Sequence, residues 1–118
     1  MQSVSSNAVA NALLGYVSQS NTLPANANIE LDRPAIKCYK GRALSSDLSN
    51  FPAITNYSSA GGSPAWSLFV ICITFGRYIE FCTVQYYNTS GQWKHEIFER
   101  QKIDNTWFGW KTLHSLAN

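Results

Sequence analysis

The sequence predicts a mainly β fold of the α+β kind, a short N-terminal helix followed by a small antiparallel β-sheet knob. Three observations carry that expectation. Residues 66–75 and 77–87 are two runs rich in β-branched and aromatic side chains meeting at Gly76. Residues 93–101 alternate in the same manner behind a five-residue polar loop, and the chain closes on Trp107-Phe108-Gly109-Trp110-Lys111. Two indoles three residues apart suit a last strand that seals a small β-domain. That ending supplies none of the groups that acid, base or nucleophilic chemistry requires, so binding is expected in place of catalysis.

At 118 residues the chain fits one domain with at most a small appendage. An apolar fraction of 45% supports a real core, while charged residues make up only 14%, against about 25% in a typical soluble domain. Solubility then rests on Ser, Asn and Thr. A net charge of +2 with no Lys/Arg cluster gives no basic footprint for nucleic acid. No run approaches the 18 or more apolar residues of a membrane span, and the first residues lack the pattern of a secretory signal. Cys38, Cys72 and Cys82 are an odd number at no metal-ligand spacing. Reduced thiols used as small apolar groups fit them best, although Cys72 and Cys82 sit on the two arms of one hairpin, where a bridge would demand a narrow Cα separation.

In chain order, residues 2–19 read as a helix capped by Ser5 or Ser6, with Val9, Leu13, Tyr16 and Val17 on one face. Val4, Val9, Val17 and Gly15 lower its propensity, and a helix this short is marginal alone. It must lean either on its own β-domain or on identical helices of partner copies, which the small Ala8, Ala10 and Ala12 would let approach. The organisation expected is therefore a helix over 1–20 that either joins copies of the chain or packs on its own domain, a linker over 21–28 marked by Pro24 and turn-forming residues, and a β-rich knob over 29–118.

Within the knob, residues 29–32 and 35–40 are short strand candidates separated by Arg33-Pro34. Residues 45–64 read as a long irregular excursion that Gly61-Gly62-Ser63-Pro64 ends. The hairpin 66–87 follows. On its second arm Tyr78, Glu80, Cys82, Val84 and Tyr86 share one face and Ile79, Phe81 and Thr83 the other. Both faces mix polarity, so part of each should be covered. On the next strand Lys94, Glu96, Phe98 and Arg100 oppose His95, Ile97 and Glu99, and Asp104-Asn105 turns the chain into its last segment.

The order of Ile36-x-Cys38-Tyr39, Asn50-Phe51-Pro52, Trp66-x-Leu68-x-Val70, an aromatic hairpin ending in Gln85, Ile97-Phe98-x-Arg100 and Trp107-Phe108-Gly109-Trp110-Lys111-x-Leu113 resembles the knob domain of bacteriophage tail fibres, the pyocin-knob family. The resemblance covers about residues 29–113, most of the chain, and Arg100 with the Trp-x-x-Trp-Lys ending is its most specific part. Residues 3–13, Ser-Val-Ser-Ser-Asn-Ala-Val-Ala-Asn-Ala-Leu, are similar to short helical joints in trimeric phage fibre proteins. The resemblance implies a homotrimeric fibre tip of the virion, assembled in the host cytoplasm, that contacts a bacterial cell-surface polysaccharide or lipopolysaccharide. It implies no enzyme, no cofactor, no metal, no nucleic-acid partner and no membrane insertion. Arg100, Trp107 and Trp110 would be fold-defining.

The residues carry their own weight beside the family. Trp107 and Trp110 serve a small core before a ligand platform, and Arg100 stacks on tryptophan or bridges strands before it meets an acidic sugar. Trp93 stands next to the 88–92 loop and, with Tyr86, Tyr87 and Asn88, would form an aromatic and amide patch suited to a carbohydrate; covering the hairpin's edge is its equal alternative. His95 and His114 belong to no ligand motif, and only copies of His114 meeting on a trimer axis would suggest a metal. Nothing singles out two of Asp32, Asp47, Glu80, Glu96, Glu99 and Asp104 as a glycosidase pair. A structural fibre module without receptor contact and, further off, a glycan-cleaving tailspike are the rival functions.

Overall fold

The computed structural model describes residues 17–117. They form one seven-stranded, mostly antiparallel sheet with no helix of seven or more residues among those described. The strands are β1 (Val17–Ser20), β2 (Ala35–Arg42), β3 (Ala65–Thr74), β4 (Arg77–Tyr87), β5 (Trp93–Ile103), β6 (Thr106–Trp107) and β7 (Lys111–Ala117). Strands β1 to β5 lie side by side in chain order. The outer edge of β5 is shared, β6 pairing with its end at Lys102 and Ile103 and β7 with Lys94 to Glu99.

The hairpin forms where the β-branched and aromatic runs place it, with a turn at Phe75-Gly76 and β4 spanning the expected residues 77–87. The excursion between β2 and β3 is irregular, broken only by the short 3₁₀ turns Ser45–Asp47 and Ser59–Gly61. Three expectations are corrected. Most of the helix expected over 2–19 lies outside the described residues, but its final turn is a strand: Val17 to Ser20 run parallel to Ile36 to Tyr39. Residues 29–32 are not a strand, because Ile29 and Leu31 fold across the face of the sheet and pack on the core instead of extending its plane. The closing strand is two strands, interrupted at Phe108-Gly109-Trp110.

Cross-strand register assigns the two faces. One presents Trp66, Leu68, Val70 and Cys72 from β3, then Tyr78, Glu80, Cys82, Val84 and Tyr86 from β4, then Phe98, Arg100 and Lys102 from β5, and all of these are buried. Their cover is coil, not a second layer of regular structure: Leu23, Ala27, Ile29, Leu31, Leu48, Phe51 and Ile54 pack down on them. Full burial of side chains such as Leu68 and Val70 contributes about 1.5–3 kcal/mol each. Phe51 meets Trp66 edge-on at 5.6 Å, and the Trp66 indole donates to the Ala43 carbonyl at 3.0 Å. The other face carries Ile36, Cys38, Phe69, Ile71, Ile79, Phe81 and Ile97, all partly exposed. All three cysteines are free thiols; Cys72 pairs across β4 with Tyr78 and Cys82 across β3 with Leu68, so the hairpin register holds them apart.

Coil that covers a sheet must satisfy its backbone without a ladder. Tyr78 does this for the covering segment: its hydroxyl accepts from the Leu31 amide at 2.7 Å and donates to the Leu31 carbonyl at 3.0 Å. Tyr78→Phe keeps the ring but leaves both groups unpaired, and we expect a loss of about 1–3 kcal/mol in urea unfolding, with amide exchange rising first at Leu31. A variant indistinguishable from the parent would show that the segment is held by packing alone.

Candidate functional site

The four residues expected to form the carbohydrate patch divide into two pairs. Neighbours on a strand point to opposite faces, and Tyr86 accordingly turns into the core. Its hydroxyl donates to Glu96 at 2.5 Å and lies 3.1 Å from Asn56 Oδ1. Burial, first, and the adjoining Glu96 carboxylate raise the Tyr86 phenol above its ordinary value. Asn88 is 6% exposed and is spent on its own loop: its Oδ1 accepts from the amides of Ser90 at 3.1 Å and Gln92 at 2.9 Å. Gly91 completes that turn at φ 79°, a left-handed conformation that side chains resist. Tyr86 and Asn88 therefore hold the site without lining it.

Tyr87 and Trp93 remain at the surface. They are register partners across β4 and β5, with ring centres 5.3 Å apart and planes inclined by 66°. Gly61 of the excursion lies beneath, so close that a Cβ there would stand 2.4 Å from the Tyr87 Cβ and 3.1 Å from the Trp93 Cη2. Backbone bonds from Ser58 to the Tyr87 carbonyl and from Thr89 to the Asn56 carbonyl tie excursion and loop together. The result is an indole 47% exposed on a rigid seat, beside the exposed side chains of Thr89, Ser90 and Gln92. An aromatic face flanked by hydroxyls and an amide can stack on the C–H face of a sugar and bond its hydroxyls.

Arg100, Trp107 and Trp110 come together as well. The guanidinium carbon lies 4.1 Å from the Trp107 ring centre and 4.6 Å from that of Trp110. Its Nε donates to Glu80 Oε1 at 2.7 Å, and one terminal nitrogen, 2.7 Å from the same oxygen across the ion pair, donates to Asn28 Oδ1 at 2.8 Å. Trp110 is anchored by its indole N–H on the Asn50 carbonyl at 2.8 Å. Lys102 repeats the theme one pair along, its ammonium near Tyr78 and Trp107 and bonded to Glu30. With these donors turned inward, Arg100 forms the floor of a groove of about 360 Å³ whose rim is Glu99, Gln101, Phe108 and Lys111.

The carboxylates Glu80 and Glu96 are engaged with Arg100 and Tyr86, while Asp32 and Asp104 pair with Arg33 and Arg77 at the surface. Among the described residues no cluster of three or more His, Cys, Asp or Glu side chains could hold a metal, and no helix is long and apolar enough to cross a membrane. The sequence left His95 and His114 unconnected, yet the β5–β7 register brings their Nε2 atoms within 3.3 Å. A β-strand ending in a bulge-shifted partner is a signal that periodicity alone does not carry.

No known family matches. Comparison with protein-family models, with curated proteins and with solved structures returned no match for this chain.

Glu80 is fully buried, and its second oxygen, Oε2, has no hydrogen-bond partner among the described residues. Removing Arg100 leaves the buried Glu80 carboxyl without its donor and the two indoles without the cation they enclose. Arg100→Ala should destabilise the fold by about 3–5 kcal/mol, whereas Glu80→Leu combined with Arg100→Met should recover most of it; equal losses in the single and double variants would count against the pair. Burial also pushes the Glu80 carboxyl from 4.5 up to about 7, against the opposing pull of Arg100. Between these values the native state holds a proton the unfolded chain releases, so this contribution is complete below pH 4.5 and is lost as pH rises through about 7. Urea midpoints measured from pH 4.5 to 8 should fall less steeply for Glu80→Gln than for the parent.

Proposed function

We propose that this chain is the receptor-binding knob at the tip of a bacteriophage tail fibre, or of a phage-derived particle, and that it binds a bacterial surface glycan as a homotrimer without enzymatic action. The observation that carries the reading is the Tyr87–Trp93 platform, an exposed indole fixed over Gly61 beside a polar loop of defined shape. A side chain kept rigid in the free protein loses little entropy on binding, which favours a platform for flat, weakly bound sugars. The ordered resemblance of residues 29–113 to pyocin-type knobs points the same way.

Self-association is supported by the open face of the sheet, where Phe69 is 36% exposed and Ile36, Ile71, Ile79, Phe81 and Ile97 flank it. The N-terminal segment would serve as the joint between copies. Weak individual contacts then multiply, since linking sites raises avidity by about 10²–10⁴ without new contacts. The partners are cell-surface polysaccharide or lipopolysaccharide, and neither nucleic acid nor membrane insertion enters.

Light scattering of the chain should give a trimer, and binding to purified lipopolysaccharide and capsule, measured well below the variant's own thermal midpoint, should weaken about tenfold or more for Trp93→Ala. A monomer that ignores every bacterial surface would overturn the reading. A trimer indifferent to glycans would favour a purely structural fibre module, and sugar released from the glycan would point to a tailspike enzyme.

A further inference from the structure

The two histidines are separated by a turn and a strand break, yet the sheet brings them together. His95 on β5 stands opposite Leu116, and His114 on β7 stands opposite Ile97, so both side chains leave the outer face at diagonal positions of an antiparallel ladder. Their Nε2 atoms are 3.3 Å apart, their ring centres 5.2 Å apart, and their planes are inclined by 22°.

Besides the stacking that the 22° inclination allows, two arrangements bring ring nitrogens this near. In a direct hydrogen bond one Nε2–H faces the other nitrogen, and protein N–H donors sit about 2.9–3.0 Å from their acceptors; 3.3 Å is long for that. In a chelate both lone pairs converge on one ion. Imidazole nitrogens about 2.0–2.1 Å from a tetrahedral zinc ion stand about 3.3–3.4 Å from each other, and the ring centres behind them come out about 5.2 Å apart. Both separations in the protein coincide with the chelate.

We propose that His95 and His114 form a two-histidine site for a divalent transition cation, zinc foremost, with Nε2 of each ring as ligand and water completing the shell. Neutral imidazole favours zinc, nickel and copper over the hard, oxygen-seeking magnesium and calcium. The neighbouring positions on that face, Gln85 opposite His95, then Ile97 and Leu116, carry no positive charge to oppose a cation. In the single chain β7 is exposed along its length, and the pair lies at the sheet's edge. A cation there bridges β5 and β7 beyond the register shift at Ile97/Phe98 and clamps an edge strand that little else covers.

The test uses the full chain without an affinity tag. A ligand that binds only the folded state raises the unfolding midpoint, so zinc chloride should raise it by about 4 °C or more, and magnesium at equal concentration should not. His95→Ala and His114→Ala should each abolish the shift while their metal-free midpoints stay close to the parent's, and isothermal titration should give one zinc per chain in the parent and none in the double variant. A parent that ignores zinc, or a zinc shift that survives in the double variant, overturns the proposal. If either single variant proves too unstable, the imidazole NMR signals of the parent decide: selective perturbation of both rings by zinc supports the site, and unchanged signals overturn it.

Discussion

A positive charge taken almost wholly out of solvent has to be satisfied from within, and Arg100 draws its partners from four separate parts of the chain. Its two stacking partners come from beyond the last turn, its counter-charge from the neighbouring strand and its amide acceptor from the coil across the sheet. The strand break at Phe108-Gly109-Trp110 follows from this. A continuous strand would keep Trp110 in the plane of the ladder; leaving it lets the indole swing over the guanidinium and reach the Asn50 carbonyl. Register follows too. Glu80 and Arg100 are direct partners between β4 and β5, and a slip by one residue would turn one of the two to the opposite face and strand the other charge.

The legible part of the fold was the part written in local alternation. The hairpin from β3 to β4, the polar loop before β5 and the irregular excursion each announce themselves through neighbours in sequence. Arg100 with its indoles was legible as well, because large aromatic side chains and a guanidinium have few ways to be buried in so small a domain. What could not be read depends on partners far along the chain. Residues 29–32 have strand composition but lie across the sheet, held by a Tyr78 hydroxyl 47 positions away. Val17 to Ser20 have a helical pattern behind them and still join β2 in parallel, since an exposed sheet edge outcompetes a weak propensity.

The surface patch was half legible for a simpler reason. Tyr86 and Tyr87 are adjacent, so alternation alone assigns them to opposite faces, and only Tyr87 accompanies Trp93. That Gly61 would be the seat for the pair required knowing where the excursion returns, and that Asn88 would turn inward required the geometry of its loop. The same holds for the histidine pair, whose meeting depends on how β7 settles against β5 after the break.

The loop after β4 keeps its form through Asn88, through Gly91 and through main-chain bonds. Thr89, Ser90 and Gln92 contribute side chains that the turn does not use. Backbone geometry and outward chemistry are thereby uncoupled: three positions of the loop can be rewritten in evolution, one mutation at a time, while the indole next to them keeps its place. A surface built this way can drift toward new targets without first having to refold.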